Sequence, residues 1–240
     1  MSTALLVLSM ASPATASTND PVAVQATSPA SSVAKTVQVS CPAGTKVVGT
    51  GGAVTGERTT ITRLRPADDL TSVEVTAVEH GAGTNQQWTV TARATCAAGD
   101  FTLVSKSGDN SAEAACPGNQ KTLGVAGETI GHFTKMAPKS NLKSALVEST
   151  NDVTAYAICG TRPGLTLRGG TTSVVITKTA AKSVACQGNE QVISAGGAVG
   201  GAIIEDVTTN GPGATVTGEG TDAQGQAIRW SITPYVVCSP

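Results

Sequence analysis

Apolar and polar residues alternate along most of this chain. In "TVQVS", "SVEVTAV" and "WTVTARAT" nearly every second side chain is apolar, the period of a strand with one buried face. Other runs are short and rich in β-branched residues, among them "KVVG", "TTITRLR", "SVVIT", "QVIS", "AIIEDV", "ATVTG" and "WSITPYVV". Gly, Asn, Asp and Pro separate them, as turn residues do. No stretch long enough for a helix keeps a 3.6-residue period. The pattern predicts an all-β chain.

The runs recur in a fixed order because the chain is repetitive. "CPAGTKVVGTGGAVTG" (41–56), "CPGNQKTLGVAGETIG" (116–131) and "CQGNEQVISAGGAVGG" (186–201) align without a gap, and such self-similarity outranks other signals. Cys41, Cys116 and Cys186 coincide, as do Gly52, Gly127 and Gly197, and then Gly56, Gly131 and Gly201. Each copy closes on a second cysteine, in "WTVTARATC", "NDVTAYAIC" and "WSITPYVVC". Trp88 and Trp230 share one place in these closing strands, and Asn151 takes it in the middle copy. The position suggests packing against the disulfide.

The repeat defines three units, 36–99, 100–165 and 166–240, each with four or five strands, after a Ser/Ala/Pro-rich segment over 17–35. That segment is expected to be flexible, although its "VAVQA" suits pairing with a sheet edge, in this molecule or in a partner. Equivalence of the units selects one cysteine pairing, Cys41–Cys96, Cys116–Cys159 and Cys186–Cys238. Each bridge closes a loop long enough to contribute about 4 kcal/mol in the chain-entropy description. The connections "AAGDF" (97–101) and "GTRPGLTLRGG" (160–170) leave little linker. A pseudo-threefold, β-prism-like arrangement is therefore expected ahead of three separate beads.

Composition narrows the function classes. Aromatic residues are 2% of the chain and charged ones 14%, so the cores are small and the disulfides matter. A net charge of −1 gives no basic surface for nucleic acid. No apolar run is long enough for a membrane-spanning helix. Residues 4–10 are apolar and Ala14-Thr15-Ala16 has the small-x-small form of a cleavage site. Residues 1–16 thus read as a signal peptide. Secretion agrees with an even cysteine count, because disulfides persist outside the cytoplasm.

Candidate chemistry is sparse. The glycine block lacks the helix or lysine that a phosphate cradle needs, and its three copies point to construction. Its second half marks a bulge or a close backbone approach. Paired cysteines at C-x₂₋₄-C spacing are absent, so no zinc or other metal site, and no cofactor, is expected. His80 lies in "EHGAGTN" and His132 opens a strand; both read as surface residues, and no catalytic residue is assigned. Glu79, Glu148 and Glu219 fall near equivalent strand ends and read as solvated. Asp68 and Asp69 sit in a turn. The segment "ERTTITRLRPADDL" (57–70) is longer than its counterparts and gathers Arg63, Arg65, Asp68 and Asp69. These four are the candidate partner-binding residues, since arginine is favoured at interfaces.

The pattern C-P-x-G-x-x-V-x-G-x-G-G, followed by a strand ending in Cys, resembles repeats of secreted actinobacterial proteins over nearly all of the chain after the signal peptide. In size and repeat style the chain also resembles the small adaptor subunits of umbrella-like toxin particles, which link a lectin-bearing protein to a toxin-bearing one. The resemblance implies a secreted, non-catalytic adaptor whose partners are other secreted proteins. A carbohydrate-binding envelope protein, with glycan as ligand, is the alternative.

Overall fold

The computed structural model describes residues 20–240, and the expected signal peptide (1–16) lies outside them. Within the described residues the alternating runs form strands. Unit 1 contains β1 (Val22–Thr27), β2 (Lys35–Ser40), β3 (Lys46–Thr55), β4 (Thr59–Pro66), β5 (Ser72–Glu79) and β6 (Thr89–Ala97). Unit 2 contains β7 (Thr102–Gly108), β8 (Ser111–Ala115), β9 (Lys121–Thr129), β10 (Phe133–Pro138), β11 (Ser144–Ser149) and β12 (Val153–Gly160). Unit 3 contains β13 (Thr166–Gly169), β14 (Ser173–Val175), β15 (Thr179–Ala185), β16 (Gln191–Gly200), β17 (Ile203–Asn210), β18 (Gly213–Glu219) and β19 (Trp230–Ser239). Alternation fixes which face is inside: in β5, Val73, Val75 and Ala77 are fully buried between half-buried Glu74 and Thr76.

The units do not own their sheets. One sheet runs β1-β6-β3-β17-β18-β15, a second β2-β5-β4-β9-β12-β7, and a third β13-β19-β16-β10-β11-β8, with β14 also on β19. Each joins half of one unit to half of another, and the joints are cyclic: unit 1 to 3, 2 to 1 and 3 to 2. The joints are Val207 opposite Gly52, Leu64 opposite Gly127, and Met136 opposite Gly197. Cys41–Cys96, Cys116–Cys159 and Cys186–Cys238 are all bridged.

The glycine of the shared block therefore stands at every joint, because its inner face is already full. A Cβ on Gly52 would lie 2.6 Å from Ile61, on Gly127 2.9 Å from Val147, and on Gly197 2.5 Å from Val216. Just before, the register slips at Val48, Leu123 and Ile193, at the same place in each unit. These three buried residues join one apolar cluster. There the backbones nearly touch: a Cβ on Gly124 would lie 2.6 Å from the Val48 carbonyl oxygen, and one on Gly49 would run into that of Ile193. Ser194, the third equivalent, donates its hydroxyl to the Leu123 carbonyl at 2.5 Å.

Three expectations are corrected. Residues 22–27 are not flexible: as the alternative for "VAVQA" had it, they pair with a sheet edge of this molecule, β6, from Val22 opposite Cys96 to Thr27 opposite Thr91. An unpaired β6 edge would expose its backbone groups, and β7 and β13 cover β12 and β19 in the same way. Nor is the turn at 67–70 peculiar to unit 1, although its charges are. The turn after β4, closed by Leu70 donating to Ala67, recurs after β10 with Leu142 donating to Lys139; Leu70 and Leu142 both have positive φ. The extra length lies before β4 instead. Finally, Trp88 and Trp230 do not pack on the disulfides, since eight extended residues span roughly 26 Å. The Trp88 indole donates to Glu79 at 3.0 Å beneath the Lys35 ammonium, and the Trp230 indole donates to the Thr177 carbonyl at 2.8 Å.

Candidate functional site

Two groupings of polar side chains stand out. The first is on the outer face of the sheet shared by units 1 and 2. Alternation along β4 sends Arg63 and Arg65 to this face while Leu64 turns inward. Arg63 lies between two carboxylates, Glu74 on β5 at 3.0 Å and Glu128 on β9 at 3.2 Å. Glu128 in turn accepts the Tyr156 hydroxyl at 2.6 Å. Burial, then the bond to Glu128, pushes the Tyr156 phenol up to about 12, so it stays a donor at neutral pH. Arg65 stands over the Tyr156 ring and reaches Asp68 at 3.6 Å.

This network separates two shallow grooves. The larger, about 570 Å³, runs past Arg63, Glu128, Ile130 and Asp152, and Ile130 is 81% exposed. The smaller, about 260 Å³, runs past Gln38, Arg63, Arg65 and Asp68. Of the four sequence-predicted residues, Arg63, Arg65 and Asp68 meet here. Asp69 does not: it accepts the Thr71 amide at 3.0 Å and hydroxyl at 2.7 Å, which holds its carboxyl below the ordinary range. It is the stop of the turn.

The register shows how this face differs from the other two. Arg63 occupies the place of Lys135 in β10 and Asp206 in β17. Lys135 makes a 3.6 Å pair with Glu148. Asp206 accepts the Val54 amide at 2.7 Å, and burial pushes its carboxyl up to about 6.

The second grouping was missed by the sequence reading. His80, at the end of β5, places Nε2 3.3 Å from Glu219 Oε2 at the end of β18. Glu205 lies against the same pair, with one donor atom from each of the three residues within 4.8 Å. The His132 ring centroid is 5.5 Å from that of His80. His80 comes from unit 1, His132 from unit 2 and both carboxylates from unit 3. The expectation of surface histidines and of a solvated Glu219 is therefore corrected, whereas the Glu148 side chain is 41% exposed. The side chains of His80 and Glu219 are 11% and 7% exposed, while Glu79 holds Trp88 and Glu148 holds Lys135. Burial raises the Glu205 carboxyl well above the ordinary range, reinforced by Glu219, and His80 holds Glu219 below it. Burial also lowers His132.

A sequence signal for this cluster existed. "AIIEDV" places two adjacent carboxylates in an apolar run, so alternation must turn one of them inward. A bulge between Ile204 and Asp206 makes Glu205 the extra residue, where the other units have Thr62 and Thr134; bulges re-aim side chains in this way.

No family model matches this chain, and no curated protein matches it. Among the described residues no helix is long and apolar enough to cross a membrane. Three disulfides are typical of extracellular proteins.

Proposed function

We propose that the protein is a secreted, non-catalytic adaptor that docks other secreted proteins, as a subunit of an extracellular toxin or surface assembly. The observation that carries this reading is the difference among three equivalent sheet faces. What the units share, the cysteines and the joint glycines, is spent on the fold. At the place where one face has a Lys–Glu pair and another a sunken aspartate, the sheet of units 1 and 2 presents Arg63, Arg65, Glu128 and Tyr156 between two grooves. Arginine and tyrosine are the side chains most favoured as interface anchors. The lectin alternative loses its footing, because Trp88 and Trp230 are 0% and 2% exposed and offer no stacking platform. The resemblance to adaptor subunits in size and repeat style points the same way.

Capture from the native secretome with the purified protein tests this. A stoichiometric protein partner is expected, lost on combined Arg63→Ala and Arg65→Ala at unchanged circular dichroism. Retention of that partner by the double variant, or specific sugar binding on a glycan array, would overturn the reading.

A further inference from the structure

We infer that His80, Glu205 and Glu219 form a binding site for a divalent transition metal, zinc by its donor chemistry, with His132 at its side. The site is independent of the docking face on the sheet of units 1 and 2.

Three observations converge. The donor types are those zinc takes, imidazole nitrogen and carboxylate oxygen, and one donor atom from each of His80, Glu205 and Glu219 already lies within 4.8 Å of the others. Donor atoms around a tetrahedral zinc at bond lengths of about 2.0–2.2 Å stand roughly 3.3–3.5 Å apart. His80 Nε2 and Glu219 Oε2 are at 3.3 Å, so only Glu205 has to close in.

The second observation is the lack of partners. His80 Nε2, Glu219 Oε2 and His132 Nδ1 are all buried and make no hydrogen bond with any protein group. The first two approach each other without hydrogen-bond geometry. The Glu219 side chain is more than nine-tenths buried, and such a group normally has a partner. A buried ion pair that lacks hydrogen-bond geometry, beside an imidazole nitrogen with no partner, is costly unless something else binds there.

The third is the charge and origin of the residues. Once Glu205 gives up its proton on metal binding, two carboxylates match a divalent cation in charge. The ligands come from different units, so the ion would tie unit 1 to unit 3 beside unit 2, where no disulfide crosses. His80 opens the loop over 80–88, whose residues Gly81, Ala82 and Asn85 to Gln87 are exposed, and this gives an ion a way in. Metal-binding energy is folding energy when the ligands belong to separate segments.

The test uses the chain freed of metal by chelation and dialysis, titrated with Zn²⁺ alone against a chromophoric chelator. One Zn²⁺ per chain is expected, with a Tm raised by a few degrees. Co²⁺ in its place should give the intense visible bands of a four-coordinate site. Glu205→Gln keeps the size of the side chain and removes a carboxylate donor, so it should weaken Zn²⁺ binding by at least about tenfold while circular dichroism of the metal-free chain stays that of the parent. His80→Ala should weaken it as well. Absence of stoichiometric Zn²⁺ binding, or equal affinity in Glu205→Gln, would overturn the inference and leave a buried His–Glu ion pair.

Discussion

Gly197→Ala adds one methyl group at the joint between units 2 and 3, and its cost follows from three distances. The new Cβ would stand 2.5 and 2.6 Å from the two methyls of Val216, and 3.0 Å from Val216 Cβ itself. No rotamer of Val216 removes the last of these. Comfortable carbon contacts are about 3.5–4.0 Å, so β16 and β18 must part by close to an ångström. Val216 is fully buried, and overpacking of this kind costs about 1–3 kcal/mol. Alanine recovers a few tenths of a kcal/mol through the unfolded chain. The net expectation is a loss of about 2 kcal/mol, or roughly 4–8 °C in Tm for a chain this size. Urea unfolding with the disulfides intact measures it, followed by the fluorescence of the two buried tryptophans. Val216→Ala removes the obstructing methyls and alone should cost about 2 kcal/mol. If the clash is the cause, the double variant costs at least about 1 kcal/mol less than the two single losses together. A neutral Gly197→Ala, or strict additivity, would refute the reasoning.

Replacing Cys116 and Cys159 together by Ala opens a loop of separation 43 and should lower stability by about 4 kcal/mol. Because the sheets are shared, calorimetry should still show one transition, and a surviving transition at the parental Tm would contradict the cyclic pairing. Asp206 has a folded value of about 6 against an ordinary 3.8, so the folded state holds that proton more tightly. Its contribution is favourable below the unfolded value and is lost as pH rises through about 6. Asp206→Asn keeps an acceptor for the Val54 amide and removes the titration, so the parent should lose about 1–3 kcal/mol relative to the variant between pH 4 and pH 7; a constant difference across that range would sink the assignment.

Much of the fold was legible because burial is written as alternation. β5 and β6 follow from "SVEVTAV" and "WTVTARAT", and the cysteine pairs follow from repetition. Edge strands were legible only where they alternate, as in "TVQVS". In β15 five of seven residues are exposed, and "TAAKSVA" has little apolar face to declare it. Pairing across units leaves no periodic mark either, since a backbone joint such as Val207 opposite Gly52 asks only that a side chain be absent. The block glycines carried that information, but as a bulge or close approach with no address. Arg63, Arg65 and Asp68 were within reach because they are close in sequence. The histidine–glutamate cluster was not, because its members come from three units and meet only once the ring of sheets is closed.

That ring also sets a timetable. β3 meets β17 within one sheet, and the Val54 amide waits for a carboxylate 152 residues further along. The last strand of the first unit ends at Ala97, so at about 5–20 residues per second that unit would sit roughly 5–20 s with an open edge after its own strands have been made. An open edge is a template for the wrong neighbour, and here any neighbouring nascent copy offers a strand of the right sequence. The last unit to be synthesised is therefore also the lid that ends the exposure of the first, and a chain stopped before residue 200 would be left with strands that fit best into another molecule.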